Sequence, residues 1–525
     1  MRHFVPSGIA PKLVALLIAG LFAGSAVAGD SKKVWITVGD AAYTQLQKVA
    51  PQAIAKESRV TLTNEAGSQF AGSEKVHLVE VNEEQMLSLS AAIHHELRRC
   101  GGFMFHASES AGKMALSKPI PTNMMSLSRP AYPIDNQNLV TPILAQMQDS
   151  NIAQTIVDLS AFPNRYYTTN NGVSASNWLK QKWTTMASGR SDISVTQFTH
   201  PSYAQKSVIL TINGSDNASE VVVLGAHLDS INGSGTSETT KAPGADDDAS
   251  GIASMTEALR AMLAAGFHPR RTIKMIGYAA EEVGLRGSQE IAQNFKSNNV
   301  NVVGVIQLDM TNYKGSPNDI YIYTDYTDSL QNAFVVKLIN TYLPTLTIGY
   351  DKCGYGCSDH ASWTAQGYYA SMPFETAFTQ DNPYIHTAND TYANSGNQAL
   401  HALKFARMAA AYAVELGSDG PGTVPPADRV ETFTGSLTQG QKKSYGPYKV
   451  AAGGTFKAAL SGSGDADLYV RKTSAPSTTT FDCKSDGSTS TESCAINMTA
   501  NGDVYVLLNG YTASTYTLTL TYLPQ

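Results

Sequence analysis

The chain has 525 residues, 42% hydrophobic and 16% charged, with a formal net charge of -6. That length exceeds one ordinary core and implies two or three folded units plus processed segments. Sparse, slightly negative charge excludes a protein that binds nucleic acid or another polyanion through a basic surface.

In chain order, MRHFVPSGIAPK (1–12) carries Arg2 and Lys12, and LVALLIAGLFAGSAVA (13–28) is continuously apolar or small. Ala26-Val27-Ala28 has the A-x-A form of a cleavage site before Gly29. The pattern is that of a secretory signal peptide ending at Ala28, and it predicts an exported, extracellular protein. No later apolar run is long enough to span a bilayer.

Residues 29–132 mix strand-like runs (KVWITV, KVHLVEV) with a helix expected over EEQMLSLSAAIHHEL. His94, His95 and Glu96 lack the H-E-x-x-H spacing that would set two ligands on one helical face, so they read as a solvated or packing helix. Residues 133–418 alternate strand and helix patterns. EVVVLGA (220–226) runs into His227 and Asp229; RTIKMIGYAA (271–280) runs into Glu281 and Glu282; NVVGVIQL (301–308) stops at Asp309. Helix-like ASGIASMTEALRAMLAAG and GSQEIAQNFKSN lie between them. This order predicts an α/β unit with a mixed, largely parallel sheet flanked by helices. Ligands of such sheets sit beyond the carboxyl ends of the strands. Residues 419–428 are a Pro/Gly linker, and 429–525 carry short alternating runs (ADLYVRK, DVYVLLNG, TYTLTLTYL), the signature of an all-β sandwich.

Of five cysteines, Cys353 and Cys357 lie four apart, and Cys483 and Cys494 close a short loop. Two local disulfides fit an oxidising compartment. Cys353 and Cys357 read alternatively as a soft metal pair, although no second Cys or Cys/His pair accompanies them. Cys100 is left over.

The chemistry gathers at one edge of the sheet. His227, Asp246-Asp247-Asp248, Glu281-Glu282 and Asp309 follow strand ends, and His386 lies in NPYIHTAND. Carboxylates about 5 Å apart repel by roughly 3 kcal/mol per pair at an effective dielectric near 20. Divalent ions remove that repulsion, and imidazole plus carboxylate without thiolate suits zinc, or less selectively manganese or cobalt. Two divalent ions balance three ligating carboxylates and a bridging hydroxide, which leaves a fourth carboxylate as a base. The bland reading of the Asp run is a helix cap, and Asp248 is placed to cap ASGIASMTEAL.

GAHLDS, PGADDDASG, YAAEEVGLRGS, QLDMTNYKG, CGYGCSDHASW and NPYIHT together resemble the co-catalytic dizinc aminopeptidases of peptidase family M28, in particular secreted bacterial leucine aminopeptidases of the Vibrio type. The resemblance spans 133–418. The tail from 429, with DADLYV, is similar to the bacterial pre-peptidase C-terminal domain. Residues 29–132 are similar to a propeptide, whose removal would take Cys100 with it and leave two disulfides.

The resemblance implies a zinc exopeptidase fold with His227 and Asp309 on one zinc, Glu282 and His386 on the other, and Asp247 bridging both. It implies that Asp229 orients His227, and that Glu281 is the base that activates the zinc-bridging water and then the acid toward the leaving amine. It implies a cis bond between Asp247 and Asp248. Tyr355 would donate to the substrate carbonyl oxygen, and Met310, Cys357, Met372, Phe374, Phe378 and Ile385 would line the pocket for the first side chain. A pocket so lined favours Leu, Met or Phe at the N-terminus of a peptide. The implied protein is a monomeric zymogen, matured by a processing protease, acting on peptides with a free N-terminus and needing no nucleic acid and no membrane insertion. Carboxypeptidase or glutaminyl cyclase chemistry on the same scaffold is the rival among enzymes. The Asp247 bridge and the Glu281-Glu282 pair argue against the cyclase, which works with one zinc. A silent binding module is opposed by the complete ligand set. In the C-terminal segment, Asp465 and Asp467 suit calcium or polymer binding no better than a folding or secretion role.

Overall fold

A computed structural model describes residues 33–63, 72–97, 101–117, 129–419 and 429–524. The signal-peptide reading of 1–28, Cys100 and most of the 419–428 linker lie outside the described residues.

The N-terminal unit is an antiparallel sheet with helices on it: β1 (Lys33–Gly39), α1 (Asp40–Val49), β2 (Ala55–Thr63), β3 (Gly72–Asn82), α2 (Glu83–Ala92), β4 (Phe103–His106) and α3 (Glu109–Ser117), in sheet order β2-β3-β1-β4. Asn82 and Gln85 form a reciprocal capping box that starts α2. The helix expected through Leu97 is α-helical only to Ala92 and closes with a π-helical turn over Ile93–Leu97.

The central unit contains α4 (Gln137–Ala145), α5 (Asp149–Ser160), α6 (Asn170–Met186), β5 (Ile193–Phe198), β6 (Ser207–Ile212), β7 (Asn217–His227), α7 (Ala249–Ala264), β8 (Arg271–Tyr278), α8 (Arg286–Ser297), β9 (Asn301–Gln307), β10 (Ile320–Tyr323), α9 (Ser329–Tyr342), β11 (Ile348–Asp351), α10 (His360–Ala365), β12 (Ala370–Phe374) and α11 (Leu400–Ser418). Its eight strands run in the order β11-β10-β12-β9-β7-β8-β6-β5. β7 pairs in parallel with both β8 and β9, β9 with β12, and β10 with β11; the remaining pairs are antiparallel. The mixed, largely parallel sheet is therefore as expected. Its middle strands are continuous apolar runs because helices cover both faces, and β9 is buried from Val302 to Gln307. α7, buried along almost its whole length, packs against β7, α5 and α11, and α11 itself meets β7 and β8.

The C-terminal unit has eight strands: β13 (Arg429–Leu437), β14 (Lys442–Val450), β15 (Thr455–Ser463), β16 (Ala466–Lys472), β17 (Cys483–Ser485), β18 (Glu492–Asn497), β19 (Gly502–Gly510) and β20 (Ser514–Tyr522). They form two four-stranded antiparallel sheets, β13-β20-β15-β18 and β14-β19-β16-β17. β18 alternates strictly between buried and exposed residues, and the inward ones close a core around Phe456, Leu468, Val506 and Leu518.

Three buried histidines tie this fold to pH. Burial pushes His106 and His360 down to about 4, and burial followed by the charge of Lys404 pushes His401 down to about 3. Below about pH 6.5 the unfolded chain takes up protons that the fold refuses, so the stability held above that pH drains away as pH falls toward 4. Each histidine contributes a slope of about 1.4 kcal/mol per pH unit in that window. Buried carboxylates such as Glu282, raised to about 7, act in the opposite sense over the same window, so the contribution of a histidine is read by difference: the melting temperature of His401→Gln relative to wild type should rise as pH falls from 6.5 to 4.5. A difference between His401→Gln and wild type that stays constant across this range would contradict the assignment.

Candidate metal centre

Three neighbouring parallel strands deliver their ends to one point. His227 is the last residue of β7, Glu281 and Glu282 follow β8 by three and four positions, and Asp309 follows β9 by two. The segment after β12 brings His386, with φ at 55°, and the turn before α7 brings Asp247, whose bond to Asp248 is cis. Ligand-capable atoms of His227, Asp247 and Asp309 form one close group, and those of Asp247, Glu282 and His386 form a second; all five residues are buried. Asp247 belongs to both groups.

The separations suit ligands of a metal ion. His227 Nε2 lies 2.8 Å from Asp247 Oδ1 and 3.6 Å from Asp309 Oδ1, and His386 Nε2 lies 3.1 Å from Asp247 Oδ2 and 2.9 Å from Glu282 Oε2. A tetrahedral zinc with bonds of 2.0–2.1 Å sets its ligand atoms about 3.3 Å apart. Both carboxylate oxygens of Asp247, Oδ1 of Asp309, Oε1 of Glu282 and Nε2 of His386 are buried without a hydrogen-bond partner. Close approach without hydrogen-bond alignment means that these atoms face a common point rather than each other, and leaving so many polar atoms unpaired is costly. The donor set, imidazole and carboxylate, fits zinc.

The electrostatics demand positive charge. Burial opposes charging of His227 and His386, yet the surrounding carboxylates, led by Asp309 for His227 and by Glu282 for His386, hold both well above the usual histidine range. Burial pushes Glu281 well up and Glu282 up to about 7. Asp247 is held below the usual carboxylate range, against burial, by His227 and His386. Protons alone thus balance the cluster incompletely, and divalent cations answer the same demand.

The other carboxylates are used differently. Asp248 Oδ2 accepts from His227 N (2.9 Å), and its Oδ1 accepts from Gly251 N (2.8 Å) and Met310 N (3.1 Å), so it caps α7 and also joins the ends of β7 and β9. Asp246 accepts from Asn312 N and Asn382 Nδ2. Asp229 has a second role beside the imidazole: its carboxylate accepts from the N–H groups of Glu281 (3.0 Å) and Glu282 (3.2 Å). It stands 3.6 Å from His227 Nδ1, which is nearer to the Asp229 backbone carbonyl at 3.2 Å. Ser358 donates a short hydrogen bond to Asp309. Neither Ser358 nor Asp390, whose carboxylate receives the N–H groups of Asp246 and Asp247, is signalled by sequence. A buried clamp has no period and no motif of its own.

Cys353 and Cys357 are disulfide-bonded, as are Cys483 and Cys494, which settles the soft-metal alternative. The first bridge brackets Tyr355. Met310, Cys357, Met372, Phe374 and Ile385 form one buried apolar cluster with Phe378 packed against it. The N-terminal unit lies directly on this face. Tyr355 donates its hydroxyl proton to Thr37 Oγ1 (2.6 Å), and Thr37 is joined to His106 Nε2 (2.8 Å). His94 is a packing residue, and its ring meets that of His386 at 5.3 Å between centroids. Phe105 N donates to Gly284 O, Tyr167 donates to Glu83, and Arg286 lies over the Phe105 ring. In the C-terminal unit Asp467 accepts from Asn509 Nδ2 at 2.9 Å.

Comparison with known proteins supplies the context. Residues 207–412 match peptidase family M28, and residues 449–510 match the bacterial pre-peptidase C-terminal domain. Leucine aminopeptidase 1 of Pyrenophora teres f. teres is 34% identical over 352 residues, covering 65% of this chain and 88% of that protein. Among solved structures, Legionella pneumophila LapA aminopeptidase is similar at 30% identity with a TM-score of 0.61, covering 74% of this chain and 99% of its own. LapB from the same organism follows at 29% identity and 0.59, covering 74% and 100%.

Metal content tests the geometry. The wild-type chain should retain two zinc ions after dialysis, His386→Ala one, and Asp247→Ala neither, measured by elemental analysis. An Asp247→Ala protein that keeps both ions would rule out a shared ligand.

Proposed function

The chain belongs to peptidase family M28, and on that premise we propose that it is an exported zinc aminopeptidase, made as a precursor, which removes large apolar residues such as Leu from the N-termini of peptides. The observation that carries this reading is the pair of buried three-residue groups sharing Asp247, with Met310 and Ile385 of a buried apolar cluster adjoining Asp309 and His386 in the chain. His227 and Asp309 would hold one zinc, Glu282 and His386 the other, with Asp247 common to both. Bound there, the ions would supply Lewis acidity, making a water nucleophilic near neutral pH and polarising the scissile carbonyl.

The remaining steps belong to the chain. Glu281 takes the proton of the attacking water and returns it to the leaving amine; its carboxyl, raised by burial in a site of neighbouring charges, suits both transfers. Tyr355 donates a hydrogen bond to the carbonyl oxygen as that oxygen gains charge. Met310, Cys357, Met372, Phe374, Phe378 and Ile385 receive the first side chain, whose burial favours an apolar group. Asp229 fixes the backbone that carries Glu281 and Glu282.

Export is supported by the two disulfides, and no helix among the described residues is long and apolar enough to cross a membrane. The precursor reading is supported by the N-terminal unit's contacts. With Tyr355 donating to Thr37 and His94 against His386, the N-terminal unit acts as a cover that a processing protease must remove. The matured catalytic unit would span 133–418 and act as a monomer.

Leucine-p-nitroanilide tests the activity. After proteolytic removal of the N-terminal unit, the free-amine substrate should be cleaved and its N-acetyl form should not. Glu281→Ala should lower kcat by about 10²–10⁴-fold. Two bound zinc ions without cleavage of either compound would leave the metal centre standing and remove the aminopeptidase reading. The cover makes a separate prediction: the full chain should hydrolyse more slowly than the trimmed protein. Thr37→Val, which removes the hydrogen bond from Tyr355 across the two units, worth about 1 kcal/mol, together with the one to His106 inside the N-terminal unit, should raise the full-chain rate about fivefold or more. Equal rates for full and trimmed protein would sink the cover but not the activity.

A further inference from the structure

Asp247 stands in the stretch Pro243-Gly244-Ala245-Asp246-Asp247, which belongs to neither a helix nor a strand. Two fully buried groups of opposite charge hold this loop from opposite sides. Arg165, in the segment before α6, donates from Nη2 to Gly244 O at 2.8 Å, from Nη1 to Pro243 O, and from Nε to Leu228 O at 2.8 Å. Leu228 is the residue after His227. One planar guanidinium therefore joins the segment that carries the first imidazole to the segment that carries the shared carboxylate. Its fork matches several carbonyls at once, which an ammonium cannot do.

Asp390 holds the other side. Its Oδ1 accepts from Asp246 N at 3.0 Å and its Oδ2 from Asp247 N at 3.1 Å, while its own carbonyl accepts from Ala245 N at 3.1 Å. Asp390 lies four residues past His386, so these bonds join the shared carboxylate to the segment carrying the second imidazole. The loop's carbonyls meet a buried cation and its N–H groups meet a buried anion, each charge satisfied by peptide dipoles. Ser230 adds to the frame by donating to Ala242 O at 2.7 Å.

We propose that Arg165 and Asp390 are positioning residues that fix Asp247 between His227 and His386, and so set the affinity of both metal positions together. The proposal rests on the reading that Asp247 is a ligand common to both ions. Neither side chain would touch metal or substrate; each acts through the backbone that carries Asp247. Partners of this kind commonly control metal affinity by 10–100-fold.

The test uses the full chain and zinc itself. Dissociation constants are measured by competition with a chromophoric chelator, and the visible spectrum of the cobalt-substituted protein reports ligand geometry. In Asp390→Asn the amide keeps the shape of the side chain but accepts only one of the two N–H groups and turns a donor toward the other. It should weaken both ions about tenfold or more and alter the cobalt spectrum, in protein that remains folded by circular dichroism. Arg165→Lys, which cannot reach all three carbonyls, should weaken both ions by a smaller factor. A purely structural role would lower the melting temperature while leaving the affinities and spectrum of the folded protein unchanged, and that result overturns the proposal. Should Asp390→Asn fail to fold, Arg165→Lys decides by the same two measurements. A wild-type chain that binds fewer than two zinc ions overturns the shared-ligand reading, and this inference falls with it. Loss of peptidase activity alone leaves the binding constants, and therefore the inference, to be judged separately.

Discussion

Buried negative charge is the constraint around which the central unit is organised. Asp229, Asp246, Asp247, Asp248, Glu281, Glu282, Asp309, Asp359, Glu375 and Asp390 are all buried, most within the space between three strand ends and the first turn of α7. A carboxylate removed from water must meet hydrogen-bond donors or cations. Two solutions are visible side by side. Asp229, Asp248 and Asp390 take backbone N–H groups and in doing so weld together separate loops. Asp247, Glu282 and Asp309 keep oxygens without donors, facing the histidines. The same residue type thus serves as scaffold in one place and stands as a candidate ligand set in the other, separated by whether a peptide N–H is within reach.

Much of this was legible in the sequence, because the informative residues sit at strand ends. EVVVLGA, RTIKMIGYAA and NVVGVIQL are strands of the kind covered on both faces, and the charged residues that follow them fall on one edge by the geometry of parallel pairing. The sandwich strands were equally readable, since their alternation reflects one buried and one wet face. Less legible were contacts that join distant segments through the backbone. Asp229 looked like a histidine's partner because it lies two residues from His227; only the fold reveals two N–H groups from β8's end pointing at it. Arg165, 0% exposed, sits in FPNRYY without any pattern to mark it. The π-helical close of α2 likewise has no signature in IHHEL, where the apolar spacing continues as if the helix did.

The N-terminal unit shows how a packing residue and a functional one become hard to separate. Of the stretch that reads as a solvated or packing helix, His95 and Glu96 are exposed and His94 is buried, and the surface His94 meets includes His386. Gly101, at φ 57°, fits because a Cβ there would lie 2.5 Å from the Cys357 carbonyl oxygen, beside the disulfide that brackets Tyr355. Shape complementarity of this sort extends from Met104 against Gly356 to Ala91 against Gly233. It is a property of two surfaces, not of either sequence.

Because the covering unit and the covered face share one chain, their encounter is intramolecular. Its strength is set by tether geometry and is indifferent to how much protein the cell contains. Cutting the connection changes the order of that reaction: the same two surfaces then meet at a rate proportional to concentration. Were the chain exported and cut as proposed, dilution alone would favour separation of the two pieces.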